Sequence, residues 1–206
     1  MKTLFLLAFL SLSTLIHSQS KFEQAMDQAQ VLVNEGKLNE AANLYERISK
    51  AEPDNWLPAY HLALVKTWPT FMAEDKSSVL AELEIAEEYA DIADMNSPNN
   101  SEVYVLKALI NVAKIVYDPA TYGMTLSATA TEQYQKAITL DKTNPRAQSG
   151  LIEMEMGTAR YFNQDLIPYC DRLKKVLKLY ESFKPASKYH PTWGKESVEE
   201  TISTCN

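Results

Sequence analysis

Glycine is scarce, at five in 206 residues, as expected of a chain that is mostly helix. Cysteine is scarcer still, with two residues and no Cys-x-x-Cys pair, so a thiol redox centre is not expected. Three histidines occur, one of them within the first twenty residues. No His-Glu-x-x-His, Gly-x-Ser-x-Gly or phosphate-loop pattern is present, which removes the common zinc-protease, serine-hydrolase and nucleotide-binding signatures. Positive charge is in deficit: Lys and Arg total 20 against 27 Asp and Glu, a net charge of −7. Nucleic acid is therefore disfavoured as a partner, because phosphate neutralisation needs a clustered basic face. Beyond the first twenty residues no apolar run is long enough to cross a bilayer.

What is present begins with an address. Lys2 precedes LFLLAFLSLSTLI, and the polar residues His17, Ser18, Gln19 and Ser20 follow. A charged start, a short apolar centre and a small residue at the exit describe a secretory signal peptide over residues 1–18, cleaved after Ser18 or alternatively after Ser20. A membrane anchor is the competing reading, but roughly 13 apolar residues are short for a span. No Cys stands near the exit, so lipid attachment is not expected. The mature protein is expected to be exported, periplasmic or secreted. Its apolar content of 46% is enough to build a core.

The mature chain repeats itself. In GKLNEAANLYERISKAEPDN, from Gly36 to Asn55, the small Ala41, aromatic Tyr45 and apolar Ile48 form one helical stripe, and Pro53 stops the helix. Ala86, Ala90 and Ala93 repeat the stripe before Ser-Pro-Asn-Asn, and Ala130, Tyr134 and Ala137 repeat it before Thr-Asn-Pro. A preceding helix accompanies each copy, carrying Ala25 and Ala29, then Ala59, Leu62 and Ala63, then Tyr104 and Ala108. A degenerate fourth copy runs from Pro145 to Pro185, with Gly150 and Leu151 in its first helix and Leu173, Leu177 and Tyr180 in its second. The second and third units exceed 34 residues, with the excess at Thr70 to Ser78 and at Asp118 to Ser127.

This pattern resembles the tetratricopeptide repeat (TPR), a helix-turn-helix unit of about 34 residues. The YGMTLS, GTARYF and PTWGKE…C segments also resemble a group of small secreted bacterial TPR-like proteins with no assigned activity. The resemblance implies an all-α, right-handed solenoid of antiparallel helical hairpins. Three to four repeats would fill residues 22–185. Residues 186–206 would supply the linker KPASKYHPTWG and a C-terminal capping helix with Val198, Ile202 and Cys205 on one face.

Cys170 and Cys205 are an even count in an exported chain, which suggests a disulfide pinning the cap, with two buried thiols as the alternative. His61 and His190 read as packing residues rather than ligands or bases. The acidic run Glu82, Glu84, Glu87, Glu88, Asp91 and Asp94 reads as a solvated helix face, as do Arg172, Lys174, Lys175 and Lys178.

The TPR resemblance places a ligand groove on the first helices. The candidate groove residues are Met26, Gln30, Val33, Tyr60, Leu64, Val105, Leu109 and Val112, with Glu102, Arg146 and Ser149 at other groove positions. The groove is largely apolar and lacks the Lys/Asn pattern of a carboxylate clamp. The insert with Tyr122, Met124 and Leu126 is expected to pack on or beside it. The leading expectation is a non-enzymatic scaffold without cofactor or metal that binds a protein or peptide. An envelope subunit with a self-filled groove is the alternative. An enzyme with a site around His61, Tyr122 and the acidic residues comes third.

Overall fold

The computed structural model describes residues 20–205, so the expected signal peptide lies outside the described residues. The described chain is all-α. Its helices are α1 (Lys21–Asn34), α2 (Leu38–Ala51), α3 (Trp56–Thr67), α4 (Val79–Asn96), α5 (Ser101–Tyr117), α6 (Pro119–Leu140), α7 (Pro145–Tyr161), α8 (Ile167–Ser182) and α9 (Lys195–Ser203). Each helix packs on the next through α8, and first helices also touch across repeats, α3 on α5 and α5 on α7. This is a TPR-like solenoid of antiparallel hairpins.

Local chemistry explains where each hairpin begins. The asparagines that end one repeat also start the next. Asn55, Asn100 and Asn144 each accept a backbone N–H from the second residue of the following helix, at 3.1, 2.9 and 3.0 Å. Each thereby satisfies an orphan donor at the helix start. At the first helix Ser20 and Glu23 form a reciprocal capping box. Gly36 takes a positive φ of 72° in the turn between α1 and α2, where a side chain would be strained.

The stripes are the interhelix seams. Ala41, Tyr45, Ile48, Ala86, Ala90, Ala93, Ala130, Tyr134 and Ala137 are all buried, as are Ala29, Ala59, Ala63 and Ala108 on the first helices. Small residues let the backbones approach, and the aromatics fill the space beside them. Gly150 is the tightest case. A Cβ there would stand 2.4 Å from the Tyr134 ring, so any other residue would have to displace that buried ring.

The two excess segments differ from each other. Around Thr70 the chain makes a 3-10 turn, Trp68–Met72, and an irregular link to α4. The excess from Asp118 is no loop. Asp118 ends α5 and at once caps α6, accepting the backbone N–H groups of Ala120 and Thr121 at 3.1 Å, with Pro119 in the first turn. Asp-Pro is a strong helix start, so residues 119–127 continue α6 as extra turns packed along α5. The insert thus lengthens a scaffold helix. Tyr122 and Leu126 are half-buried, while Met124 is 95% exposed.

Cys170 in α8 and Cys205 after α9 form a disulfide. Around it Ile152, Met156, Leu173, Val176, Tyr180 and Val198 make a separate small core that seats α9. The bond closes a loop with a sequence separation of 35. Replacing both cysteines by serine is expected to lower stability by about 3–4 kcal/mol. Urea denaturation checks this, and an unchanged midpoint would mean that the bond constrains nothing.

Candidate functional site

The first helices α3, α5 and α7 pack side by side, and part of the face they share is covered. Residues 183–194, between α8 and α9, lie on it as a non-helical strap with a turn in the middle, where the His190 N–H donates to the Ser187 carbonyl at 3.1 Å. The strap leaves α8 at Phe183, whose ring lies 4.3 Å from the Arg146 guanidinium. It reaches α1 at Tyr189, whose hydroxyl donates to the Glu23 carbonyl at 3.0 Å and lies 3.0 Å from an Asp27 carboxylate oxygen. Lys188 pairs with Asp27 at 2.6 Å, and the Phe22 ring meets Tyr189 edge-on. The chain then turns back, and Trp193 donates its indole N–H to the Tyr60 hydroxyl at 2.9 Å and meets the Trp68 ring edge-on. The strap ends at Gly194, with φ 103°, where a Cβ would lie 2.4 Å from the Tyr180 hydroxyl. Six residues from Phe183 to Tyr189 can reach about 20 Å, so the strap brings the first and last repeats within that span.

A polar cluster lies beneath the strap. Arg146 of α7 is fully enclosed and grips Glu102 of α5 with two nitrogens, Nε at 2.8 Å and Nη2 at 2.6 Å. Asn144 donates to the same carboxylate and to Ser101 Oγ, both at 2.9 Å. Arg146 Nη1 also points at the Trp193 carbonyl at 3.5 Å. Ser149 and Tyr180 share a hydrogen bond at 3.0 Å. Paired forks of this kind satisfy a buried carboxylate, which a lone charge could not do.

His61 is part of this closure. Its Nε2–H donates to the Tyr189 carbonyl at 2.7 Å, and its ring stacks on Tyr45. Burial lowers its pKa, so the ring is held neutral with Nε2 as the donor. His190 packs edge-on against Trp56 and shares a hydrogen bond with Ser187 through Nδ1. Burial lowers its pKa too. Both rings are engaged in holding the strap.

The candidate groove residues therefore divide. Met26, Tyr60, Leu64 and Val105 are buried; Val33, Leu109 and Val112 are half-buried; Gln30 is exposed and bonded to Asn34. The linker lies on the first helices, through Tyr189 on His61 and Trp193 on Tyr60. Sequence reasoning passed over Tyr189 and Trp193. The available signal was two aromatic residues, a histidine and two prolines in a short stretch otherwise read as a linker.

Other charged groups are structural. Lys66 pairs with Glu82, Lys107 with Asp91 and Asp94, and Lys114 with Glu87, so the acidic face of α4 is tied to α3 and α5. Arg172 pairs with Glu155. Tyr122, on the first turns of α6, shares no hydrogen bond with His61. Among the described residues no cluster of three or more His, Cys, Asp or Glu side chains could hold a metal ion. A crevice of about 500 Å3 opens away from the strap, between α6 and the α7–α8 hairpin, with Thr131, Met154 and Tyr169 in its wall. Tyr161, Phe162 and Ile167 are exposed on the adjoining turn.

No family model matches this chain, and no curated protein does. Solved structures do. The HusA haemophore from Porphyromonas gingivalis is similar with a TM-score of 0.76 at 20% identity, over 90% of this chain and 93% of that one. A thermophilic TPR protein of Thermus thermophilus is similar with a TM-score of 0.60 at 16% identity, over 90% and 81%. MamA from Desulfovibrio magneticus RS-1 is similar with a TM-score of 0.52 at 17% identity, over 81% and 79%. These likenesses establish a TPR-like helical repeat fold.

Two measurements test the polar chemistry. Arg146→Ala leaves Glu102 buried without its counter-charge, and a loss of about 3–5 kcal/mol is expected on denaturation. The double variant Glu102→Gln, Arg146→Met should recover much of that loss, and a double variant as unstable as the single would show that the network of contacts, not the charge, matters. Glu153 of α7 gives a pH signature. Its Oε1 is buried without a hydrogen-bond partner, and burial pushes its pKa up to about 7, opposed by the Thr201 hydroxyl. Between its ordinary value and about 7 the folded form keeps a proton that the unfolded form has lost, so stability falls as pH rises through this window. Glu153→Gln is expected to flatten that slope in denaturation series at pH 5 to 8.

Proposed function

We propose that the chain is an exported, non-catalytic binding scaffold that takes a protein or peptide partner by shape. The observation that carries this is the strap: the first helices hold an aromatic, non-helical segment through ring contacts, a main-chain carbonyl and two tyrosine hydroxyls. Those are the means by which helical-repeat grooves hold peptides, with aromatic anchors supplying affinity and a polar rim supplying register. Both histidines and the described polar cluster serve packing, which supports a reading without catalysis. Binding by shape requires no cofactor. The disulfide and the N-terminal sequence support export.

A second reading is favoured by the likeness to a haemophore across nearly the full length of both chains. In that reading the ligand is a flat apolar ring of the haem class. The crevice between α6 and α8 is within the usual size for small-ligand sites, and its wall offers Met154 and Tyr169. The strap also favours the alternative reading, a structural subunit whose groove is self-filled and whose convex face or ends assemble with a larger envelope complex.

Crosslinking in the native envelope, set beside a hemin titration of the purified protein, separates the readings. A scaffold for proteins is expected to give one reproducibly enriched polypeptide that is lost on Leu109→Asp or Val112→Asp, the half-buried groove residues. A saturable Soret shift at 1:1 stoichiometry, diminished by Met154→Ala and Tyr169→Ala, would instead establish the ring ligand. The absence of both signals would sink the binding-scaffold reading.

A further inference from the structure

Glu153 of α7 is a buried ionisable group that binding by shape does not use. Its Oε1 is enclosed without a hydrogen-bond partner, and the group it meets on the last helix is the Thr201 hydroxyl. Thr201 stands one helical turn before Cys205, whose disulfide pins the end of α9 to Cys170 of α8. The carboxyl therefore lies at the seam between the cap and the last repeat. The seating of the cap is modest. Val198 is the buried residue of α9, and Ile202 and Cys205 are partly buried beside Leu173 and Val176. A helix of nine residues is too short to persist alone in water, so α9 depends on that contact to stay formed.

No counter-charge is aimed at Glu153. Among the described residues it forms no ion pair. The titratable groups that face it are Tyr134 of α6 and Tyr180 of α8, both raised by burial and both neutral near pH 7. Glu102 of α5 is held by Arg146, and Lys107 and Lys114 are committed to α4. On α6, Glu132 and Lys136 are exposed. On α8, Arg172 pairs with Glu155 and Lys174 with Asp171, while Lys175, Lys178 and Glu181 are exposed. On α9, Lys195 pairs with Glu199, and Glu196 and Glu200 are exposed. An ionised Glu153 is thus disfavoured beneath the docked cap and relieved once water reaches it.

We propose that Glu153 is a proton latch for the C-terminal cap: α9 stays seated while the carboxyl is protonated and loosens when it ionises, uncovering Leu173 and Val176 while the repeats stay folded. The sign follows from linkage. With the cap seated, burial pushes the carboxyl up to about 7 from its ordinary 4.5, so the loosened form sheds its proton first and rising pH favours loosening. Between these values and pH 8 the linkage makes loosening about tenfold more frequent at pH 8 than at pH 6. The disulfide keeps the loosened helix tethered to α8, so the opening is local and reversible.

Native-state hydrogen exchange on the mature, oxidised protein tests the latch, with rates corrected for the intrinsic pH dependence of exchange. The amides of residues 198–203 are expected to exchange through an opening that low urea hardly accelerates, at lower protection than the amides of α3. Their protection should fall about tenfold from pH 6 to pH 8, and Glu153→Gln, which cannot ionise, should remove that fall. Exchange of α9 only together with α3, with the same urea dependence, would overturn the proposal, because the cap would then have no opening of its own. So would a protection of α9 that does not change with pH, or a fall retained in Glu153→Gln. The first two of these outcomes are read on the unaltered protein, so the proposal stays open to refutation even if the variant does not fold.

Discussion

The guanidinium of Arg146 has no contact with water, and the concave side of the molecule is arranged so that it never lacks a partner. Glu102 meets it from the neighbouring repeat through two hydrogen bonds. Phe183 covers it from above, and the Trp193 carbonyl lies beside it. Asn144 caps α7, and so fixes the backbone on which Arg146 stands, while its side-chain amide holds the same carboxylate. One asparagine thus joins helix capping to ion pairing. Removing an enclosed charge from water costs several kcal/mol, and only near-complete pairing offsets this. The α5–α7 packing and the course of the strap are both constrained by that requirement.

The strap changes the mechanics of a repeat protein. In an open solenoid each unit touches only its neighbours, and stability is a sum of local terms. Here Asp27 and Phe22 of the first helix are tied to Lys188 and Tyr189, which are continuous with the α8 end of the stack. Burial of Tyr189 and Trp193 contributes about 1.5–3 kcal/mol for each fully covered ring, less in proportion for rings half-covered. That energy depends on the positions of both ends at once. The first and last repeats are therefore joined by a tether as well as through the stack.

Much of this could be read from the residues. Ala41, Tyr45 and Ile48 declare a helix face, their repetition at Ala86 and Ala130 declares a solenoid, and the asparagines after each stripe mark where hairpins begin. These are local signals with a short period. The α6 extension was legible too, since Asp118-Pro119 is a helix start, but a repeat length of 34 invited reading the surplus as a loop. The Glu102–Arg146 pair was not legible, because each residue alone looks like an ordinary groove position. Pairing across a repeat depends on side-chain direction and on burial, and neither is written in spacing. The strap was hidden for a different reason. Proline and lysine in KPASKYHPTWG suggest solvent, and only the tryptophan and tyrosine argue against it.

The different reach of the linker and of the insert follows from rise per residue. A helix advances 1.5 Å per residue and extended chain about 3.3 Å. Residues 119–127, committed to helix by their cap, gain under half the reach of an equal length of extended chain and stay beside α5. Residues 183–194 cannot form a helix, since Pro185 and Pro191 interrupt them, so a segment of similar length crosses the whole face and returns. Pro191 is buried and has no N–H to satisfy there, which suits a segment that lies against helices without joining a sheet. The carbonyl of Tyr189 is left needing a donor, and His61 supplies it in its neutral, Nε2-protonated form. Burial lowers the pKa of His61, and the bond to the Tyr189 carbonyl acts in the opposite direction.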